Sequence, residues 1–358
     1  MVAMVTSPME KKTKQLNTFP SVAVVILNWN GQYFLEKFLP SVYNSTYPNL
    51  KVVVGDNGST DDSISFVKQY YPAIDCIEND QNYGFAGGYN RILKHIDADY
   101  FILLNSDVEV VPGWIEPIIA QMENDPIIGA VQPKIRNYHL RDPFEHAGAA
   151  GGYMDRFGFA FCRGRMLHVT ERDHGQYDDE ATVFWASGAA FFIRKSVWIE
   201  SGGFDEDFFA HFEEIDLCWR LQHMGYRIAY NPGSTVFHVG GGTLHKSNPR
   251  KTYLNFRNNL YMMQKNLDFA PAIWIIFCRL WFDLAALIHF LLEAKWQDAG
   301  AVSKAHRHFF RDFFKTAQKR KKIPRKASIQ GIYRGSLIWA FYFHKIQRFS
   351  GLSKNKWM

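Results

Sequence analysis

The sequence predicts an α/β fold: a doubly wound, mostly parallel sheet flanked by helices, followed by a helical C-terminal region. Three observations predict it. Apolar strand-like runs alternate with helix-periodic segments from residue 21 to 107, as βαβ units require. The first run, Ser21 to Asn28 (SVAVVILN), is continuously apolar, the pattern of a strand buried on both faces. Polar clusters at 28–30, 55–60 and 105–107 close three of these runs, at the carboxyl ends where ligands of such sheets gather.

In chain order, Phe34, Leu35, Phe38, Leu39 and Val42 give residues 32–43 a helical period. Lys51–Val54 reads as a second strand ending at Gly55-Asp56-Asn57-Gly58, and a helix is expected near 61–70. A short strand near 74–78 leads to a glycine-rich loop at 82–88, a helix over about 88–96, and the strand Tyr100–Leu104. From about 125 to 185 the glycines Gly148, Gly151, Gly152, Gly158 and Gly164 predict an irregular, partly β region. Residues 186–240 are again compact, and the chain changes character near 250.

The chain has 358 residues, 47% of them hydrophobic, enough to bury a sizeable core. Its net charge of +6 hides a division: beyond Leu292, sixteen Lys/Arg face only Glu293, Asp298 and Asp312. The tail therefore carries +13 and the preceding body −7. Cys76, Cys162, Cys218 and Cys278 form no CxxC pair or zinc spacing, which argues against a disulfide scaffold or zinc module. Met1 to Pro20 has no apolar stretch of signal-peptide length, which predicts a cytoplasmic protein.

Three places could carry chemistry. Asn105-Ser106-Asp107 leaves the apolar strand FILL, so Asp107 is either a divalent-metal ligand or a turn aspartate. In HFEEIDLCWR, a helix from about 213 puts Glu213, Glu214 and Asp216 in its first turn. These acids either cap the helix, with Asp216 paired to Arg220, or present a general base whose pKa the neighbouring aromatics raise. His238 ends the run STVF before three glycines, as a metal ligand or a hydrogen-bonded strand end.

Taken together these stretches resemble the family 2 glycosyltransferases of the GT-A group, which includes rhamnosyl- and galactofuranosyltransferases. The matching stretches are VAVVILNWNG (22–31), VVVGDNGSTDDS (52–63), NYGFAGGYN (82–90), FILLNSDVEVVPGW (101–114), the long run from WASGAAFF to HFEEIDLCWRL (185–221) and GYRIAYNPGSTVFHVGG (225–241). The resemblance covers residues 20–265. It implies a nucleoside-diphosphate sugar donor (UDP-, dTDP- or GDP-linked), an inverting displacement and a divalent metal, Mn2+ or Mg2+. By motif, Leu27, Trp29 and Asp56 would hold the base, and Asn82, Gly84 and Phe85 the nucleotide and sugar. Ser106 and Asp107 match the DxD-type site, with Asp107 and His238 as metal ligands. Glu214 matches the catalytic base, Glu213 and Asp216 are the fallbacks, and Trp185 and Gly188 would shape the acceptor side. Asn105-Ser106-Asp107 keeps one carboxylate of a DxD, and the base is Glu where Asp is commoner. No QxxRW motif is present, which favours non-processive transfer.

The implied organisation is a flexible arm (1–20), a catalytic domain (21–265, nucleotide half 21–115 and acceptor half 116–265) and a basic, aromatic tail (266–358). Twelve Leu/Ile/Phe between 272 and 292 favour insertion by roughly 4–7 kcal/mol, while Arg279 and Asp283 cost about 5–7. The two sums nearly cancel, leaving a spanning helix and one packed on the protein both open. Phe309, Phe310, Phe313 and Phe314 among Lys304, Arg307, Arg311 and Lys315 read as a helix on an anionic membrane. No nucleic-acid motif accompanies the basic run, so nucleic acid is not the expected partner. The expected activity is metal-dependent sugar transfer to a lipid-linked or cell-envelope saccharide, peripheral on the inner face of the membrane. The alternatives are a nucleotidyl or sugar-phosphate transferase, disfavoured because no phosphate loop follows the first strand, and a partner subunit that binds donor without turnover. Gly84–Gly88 is not a GxGxxG after a first strand, which disfavours a dinucleotide oxidoreductase.

Overall fold

Parallel register aligns the strand ends that the sequence left polar. The computed structural model describes residues 19–240, 248–325 and 327–357, so most of the N-terminal arm and the last glycines after His238 lie outside it. Strands β1 (Val22–Asn28), β2 (Leu50–Asp56), β3 (Asp75–Glu78) and β4 (Tyr100–Asn105) pair in parallel, β1 lying between β2 and β4. Asn28 stands opposite Asp56, and Leu27 opposite both Gly55 and Asn105. The connecting helices are α1 (Gln32–Tyr43), α2 (Ser63–Tyr70) and α3 (Gly84–Ile92). α3 starts inside the glycine run that the sequence reads as loop.

β1 alternates as a strand buried on both faces must. Val22, Val24 and Ile26 enter one apolar core and Ala23 and Val25 the other. The sheet continues through β5 (Val108–Val110) and, beyond helix α4 (Glu116–Asn124), through β6 (Ile128–Asn137), a ten-residue central strand in the stretch read as irregular. The rest of that stretch forms β7 (Gly152–Asp155), β8 (Ala160–Cys162), β9 (Arg165–Met166) and β10 (Val169–Thr170), all in a second sheet. β11 (Ala181–Val183), β12 (Ala190–Arg194) and β13 (Arg227–His238) complete the main sheet in the order β11-β13-β6-β12-β4-β1-β2-β3, with β5 on β13. β12 is antiparallel to both neighbours and β13 is parallel to β6, so the sheet is mixed and mostly parallel.

Between β12 and β13 lie α5 (Lys195–Ser201) and α6 (Glu213–Met224). Beyond β13 the tail forms α7 (Pro249–Asn266), α8 (Phe269–Leu292), α9 (Trp296–Arg311) and α10 (Phe313–Arg320). It then turns back: a strand, β14 (Ile332–Tyr333), pairs with β7, and a short helix, α11 (Leu337–Tyr342), follows. The tail is thus helical as expected and also completes the second sheet.

One buried carboxylate joins α6 to α7. Asp216 is fully buried; it accepts from Arg220 at 2.9 Å, from Lys265 at 2.7 Å and from the Asn266 amide at 2.8 Å. Removing the carboxylate would leave Arg220 without its counter-charge in low dielectric and Lys265 with Asp205 alone. Asp216→Ala is therefore expected to cost about 3–5 kcal/mol of stability, read as a fall in the urea midpoint with unchanged m.

Candidate active site

The carboxyl edge of β1, β2 and β4 forms the floor of the site. Asp56 is buried and receives the Ser59 N–H at 2.8 Å, the Ser59 hydroxyl at 2.5 Å and the Asn28 amide at 3.2 Å. A carboxylate has about four acceptor positions, so one remains for a ligand N–H. Asn57 holds the neighbouring loop: it donates to Asn82 Oδ1 and the Gly84 carbonyl, both at 3.0 Å, and accepts from Asn79 at 3.1 Å and the Tyr83 N–H at 3.2 Å. Asn82 also accepts from the Gly84 N–H at 2.8 Å, so this pair shapes the loop. Gly84 has φ +73, and a side chain there would collide with the Phe209 carbonyl. Leu27 is partly buried against Gly88, while Trp29 is 39% exposed and open to stacking.

Asp107, His238 and Glu145 form a buried line. Asp107 Oδ1 lies 3.1 Å from His238 Nε2, and Glu145 Oε2 lies 3.4 Å from His238 Nδ1. Glu145 is fixed in turn by the Ala147 N–H. Burial disfavours every charge here; the two carboxylates nevertheless hold the His238 pKa well above its ordinary value. Burial likewise opposes the Asp107 carboxylate, and His238 outweighs it to hold that pKa low. Ser106 lies beside Gly31 at the same edge. A carboxylate facing an imidazole whose far nitrogen meets a second carboxylate suits a divalent cation of the Mn2+ type. Among the described residues no group of three or more His, Cys, Asp or Glu gathers as a complete metal cage, so a diphosphate and water would have to supply the other ligands.

The acids of α6 divide by environment. Asp216 is committed to Arg220, Lys265 and Asn266. Glu213 is buried, Glu214 is partly exposed, and one carboxylate oxygen of each has no partner. Burial pushes Glu214 up to about 7, and burial together with the Glu214 charge holds Glu213 well above the usual range. A Cβ built on Gly188 would lie 3.1 Å from Phe85 Cζ and 3.9 Å from Glu214 Cβ. The Ala189 carbonyl, next to Gly188, accepts the Asn105 N–H at 3.0 Å. The β4–β12 register therefore brings Glu214, Phe85, Gly188 and the Asn105–Asp107 exit to one rim. Trp185 is placed differently: its ring covers Gly152 and its N–H donates to the Tyr153 carbonyl at 3.0 Å, inside the core.

The loop entering α6 is strained, with Phe209, His211 and Phe212 at φ of +64, +69 and +71. α7 holds it. The Asn258 amide donates to the carbonyls of Phe208, Ala210 and His211 at 2.7–2.9 Å, and Arg257 donates to those of Asp207 and Phe208. His211 Nε2 is buried without a partner, and burial together with Lys251 lowers its pKa to about 4. Orphaned buried polar atoms on Asn28, His211, Glu213 and Glu214 mark this rim as a place where a ligand could complete the bonding. Sequence reasoning passed over Glu145, Asn57 and Asn258. Asn57 lies inside a quoted motif, whereas nothing local marks Glu145.

The family model for glycosyl transferase family 2 matches residues 23–198. An N-acetylglucosaminyl-diphospho-decaprenol L-rhamnosyltransferase of Mycobacterium tuberculosis is 29% identical over 238 residues, covering 60% of this chain and 75% of that protein. Rhamnosyltransferase WbbL of Escherichia coli is 24% identical over 226 residues, covering 61% and 83%. Among solved structures, GalNAc-T7 with UDP, GalNAc and Mn2+ superposes with a TM-score of 0.54 at 17% identity, over 70% of this chain and 48% of that one. Mannosyltransferase PcManGT from Pyrobaculum calidifontis, with GDP-Man and Mn2+, gives 0.50 at 16%, over 86% of both. At these identities the two structures speak to fold.

Asn258→Ala would leave the Ala210 and His211 carbonyls without their side-chain donor and the Phe208 carbonyl with Arg257 alone. We expect a loss of about 1–3 kcal/mol and faster amide hydrogen exchange confined to residues 207–214, read by mass spectrometry.

Proposed function

This chain belongs to glycosyl transferase family 2, with a GT-A fold, and we propose that it transfers one sugar at a time, with inversion, from a nucleoside-diphosphate donor to a lipid-linked saccharide. The observation that carries the reading is the rim itself, where Glu214, pushed up by burial and with one carboxylate oxygen unpartnered, stands beside Phe85 and Gly188, at the strand exit that leads to Asp107. Both named relatives are rhamnosyltransferases, one acting on a decaprenol-linked acceptor. A rhamnosyl donor is accordingly the first to test, with UDP-, dTDP- and GDP-sugars screened together.

In the proposed reaction the base ring stacks on Trp29 and donates an N–H to the free position of Asp56. Asn82 and Gly84 shape the loop against the donor, and Phe85 borders the sugar. Glu214, ionised, accepts the proton of the acceptor hydroxyl as that oxygen bonds to the anomeric carbon; the bond to the diphosphate oxygen breaks on the opposite face. Asp107 and His238 would hold the divalent cation, with Glu145 orienting His238 from behind. When bound, the cation offsets charge gathering on the departing diphosphate. Glu213, kept neutral beside Glu214, prevents a second negative charge at the helix start, and Asp216 serves the scaffold. The protein would work at the cytoplasmic face of a membrane, where its lipid-linked acceptor resides.

A base raised to about 7 makes the rate depend on its ionised fraction. Turnover should therefore fall about tenfold per unit on the acid side of that value and level off above it. Glu214→Gln should bind donor normally and lose about 10²–10⁴ in kcat. Nucleoside diphosphate release with a membrane lipid extract as acceptor measures both. Wild-type turnover in Glu214→Gln would refute the assignment.

Glu145→Gln keeps the shape and removes the charge behind His238. Mn2+ affinity, followed by electron paramagnetic resonance in the presence of nucleoside diphosphate, is expected to drop about 10–100-fold, whereas Asp107→Ala should abolish it. An unchanged Mn2+ affinity in Glu145→Gln would show that Glu145 does not support the ligand.

A further inference from the structure

α8 turns its charges toward the protein and its apolar residues outward. Both of its charged side chains are buried, along with Ala272 and Ile276. Arg279 donates to Asp283 at 3.1 Å and its guanidinium lies 4.0 Å from the centre of the Phe159 ring, while Asp283 meets His306 of α9 at 3.0 Å. On the other side Ile273, Trp274, Phe277, Trp281, Leu284 and Ile288 are 42–63% exposed. At about 100° per residue they fall in a single stripe roughly 100° wide. A soluble helix buries such a stripe and exposes its charges; this one does the reverse.

α9, packed along the inner side of α8, bears exposed Lys304, Arg307 and Arg311. Were α8 to span, those cations would lie alongside it in hydrocarbon, a cost that weighs against the span its length and hydropathy would suit. Cations also gather at its first turn. Arg320 lies 5.6 Å over the Phe269 ring, Arg325 pairs with Asp268 at 2.9 Å, and Lys321 and Lys322 are exposed beside them. Tryptophans on the apolar stripe and Lys/Arg at its border match a surface of acyl chains beneath anionic headgroups.

We propose that α8 is an in-plane membrane helix. Its stripe sinks to the acyl boundary of an anionic bilayer along about 36 Å, while the Arg279–Asp283–His306 cluster locks the opposite face to the protein. This deepens the membrane partner of the proposed reaction. It rests on that reading only for the presence of a membrane, and the test reads lipid rather than sugar transfer, so the two fail separately.

The full chain is floated with phosphatidylglycerol/phosphatidylcholine vesicles and with phosphatidylcholine alone. Binding should require the anionic lipid and weaken at high salt. I273Q/F277Q/W281Q, outward substitutions checked by thermal melting, should bind at least about tenfold more weakly; W281Q serves where the triple variant melts early. Nitroxide labels at Ile273, Leu284 and Leu291 should report one depth, whereas a spanning helix would spread them by about 27 Å. A graded depth, or wild-type flotation by the variants, would overturn the proposal. So would absence of vesicle binding together with a dimer that the triple variant dissolves, which would assign the stripe to a second copy of this chain.

Discussion

The Asp216 carboxylate is the constraint on which the catalytic face depends. It sits at zero exposure between two cations and an amide, so its desolvation is offset only while α6 and α7 stay in register. With that register held, Asn258 and Arg257 of α7 fall opposite the carbonyls of the loop before α6. Lys265 and Lys319 meet Asp205, and Lys315 and Lys319 meet Asp207, at the start of the same loop. Three residues in left-handed conformations are tolerated because these partners over-determine them. The orientation of Glu214 is therefore set from outside its own helix, by residues of α7 and the basic tail.

The same arrangement separates three carboxylates that lie within one helical turn. Asp216 has every partner a carboxylate needs and carries structure. Glu213 and Glu214 each keep an oxygen unpaired and are pushed up by burial. Like charges so close resist ionising together, so burial and the neighbouring carboxylate both hold Glu213 toward its neutral form. At Asp107 the opposite logic holds. There two carboxylates, Asp107 and Glu145, flank the His238 imidazole, an arrangement that favours positive charge.

Much of this was legible in the sequence, for physical reasons. Continuous β-branched runs can only be strands covered on both faces, so β1, β2 and β4 were readable, and the polar residues after them could lie nowhere but the sheet's carboxyl edge. The first-turn placement of Glu213, Glu214 and Asp216 and the Asp216–Arg220 pair were readable from spacing. Their division of labour was not, because Lys265 and Asn266 arrive from another helix. Glu145 carries no local signature for the same reason: it acts on His238, distant in the chain. β6 was missed because Gln132, Pro133 and Lys134 interrupt its apolar period, and the two polar residues are buried only through contacts with distant parts of the chain. Trp185, expected on the acceptor side, packs over Gly152 in the core instead.

The tail shows where periodicity stops being informative. An Arg and an Asp four residues apart in an apolar helix look identical whether they pair within a bilayer or against a protein wall. Only the third dimension separates the cases, through Phe159 and His306, residues far from α8 in sequence. Once those contacts exist, the helix cannot rotate to hide its tryptophans without stripping Arg279 of its aromatic platform on Phe159 and Asp283 of His306. The locked inner face thus keeps the outer one apolar. α7 packs on this helix and also bonds the loop before α6, so the surface suited to lipid and the rim suited to sugar transfer are joined through one helix.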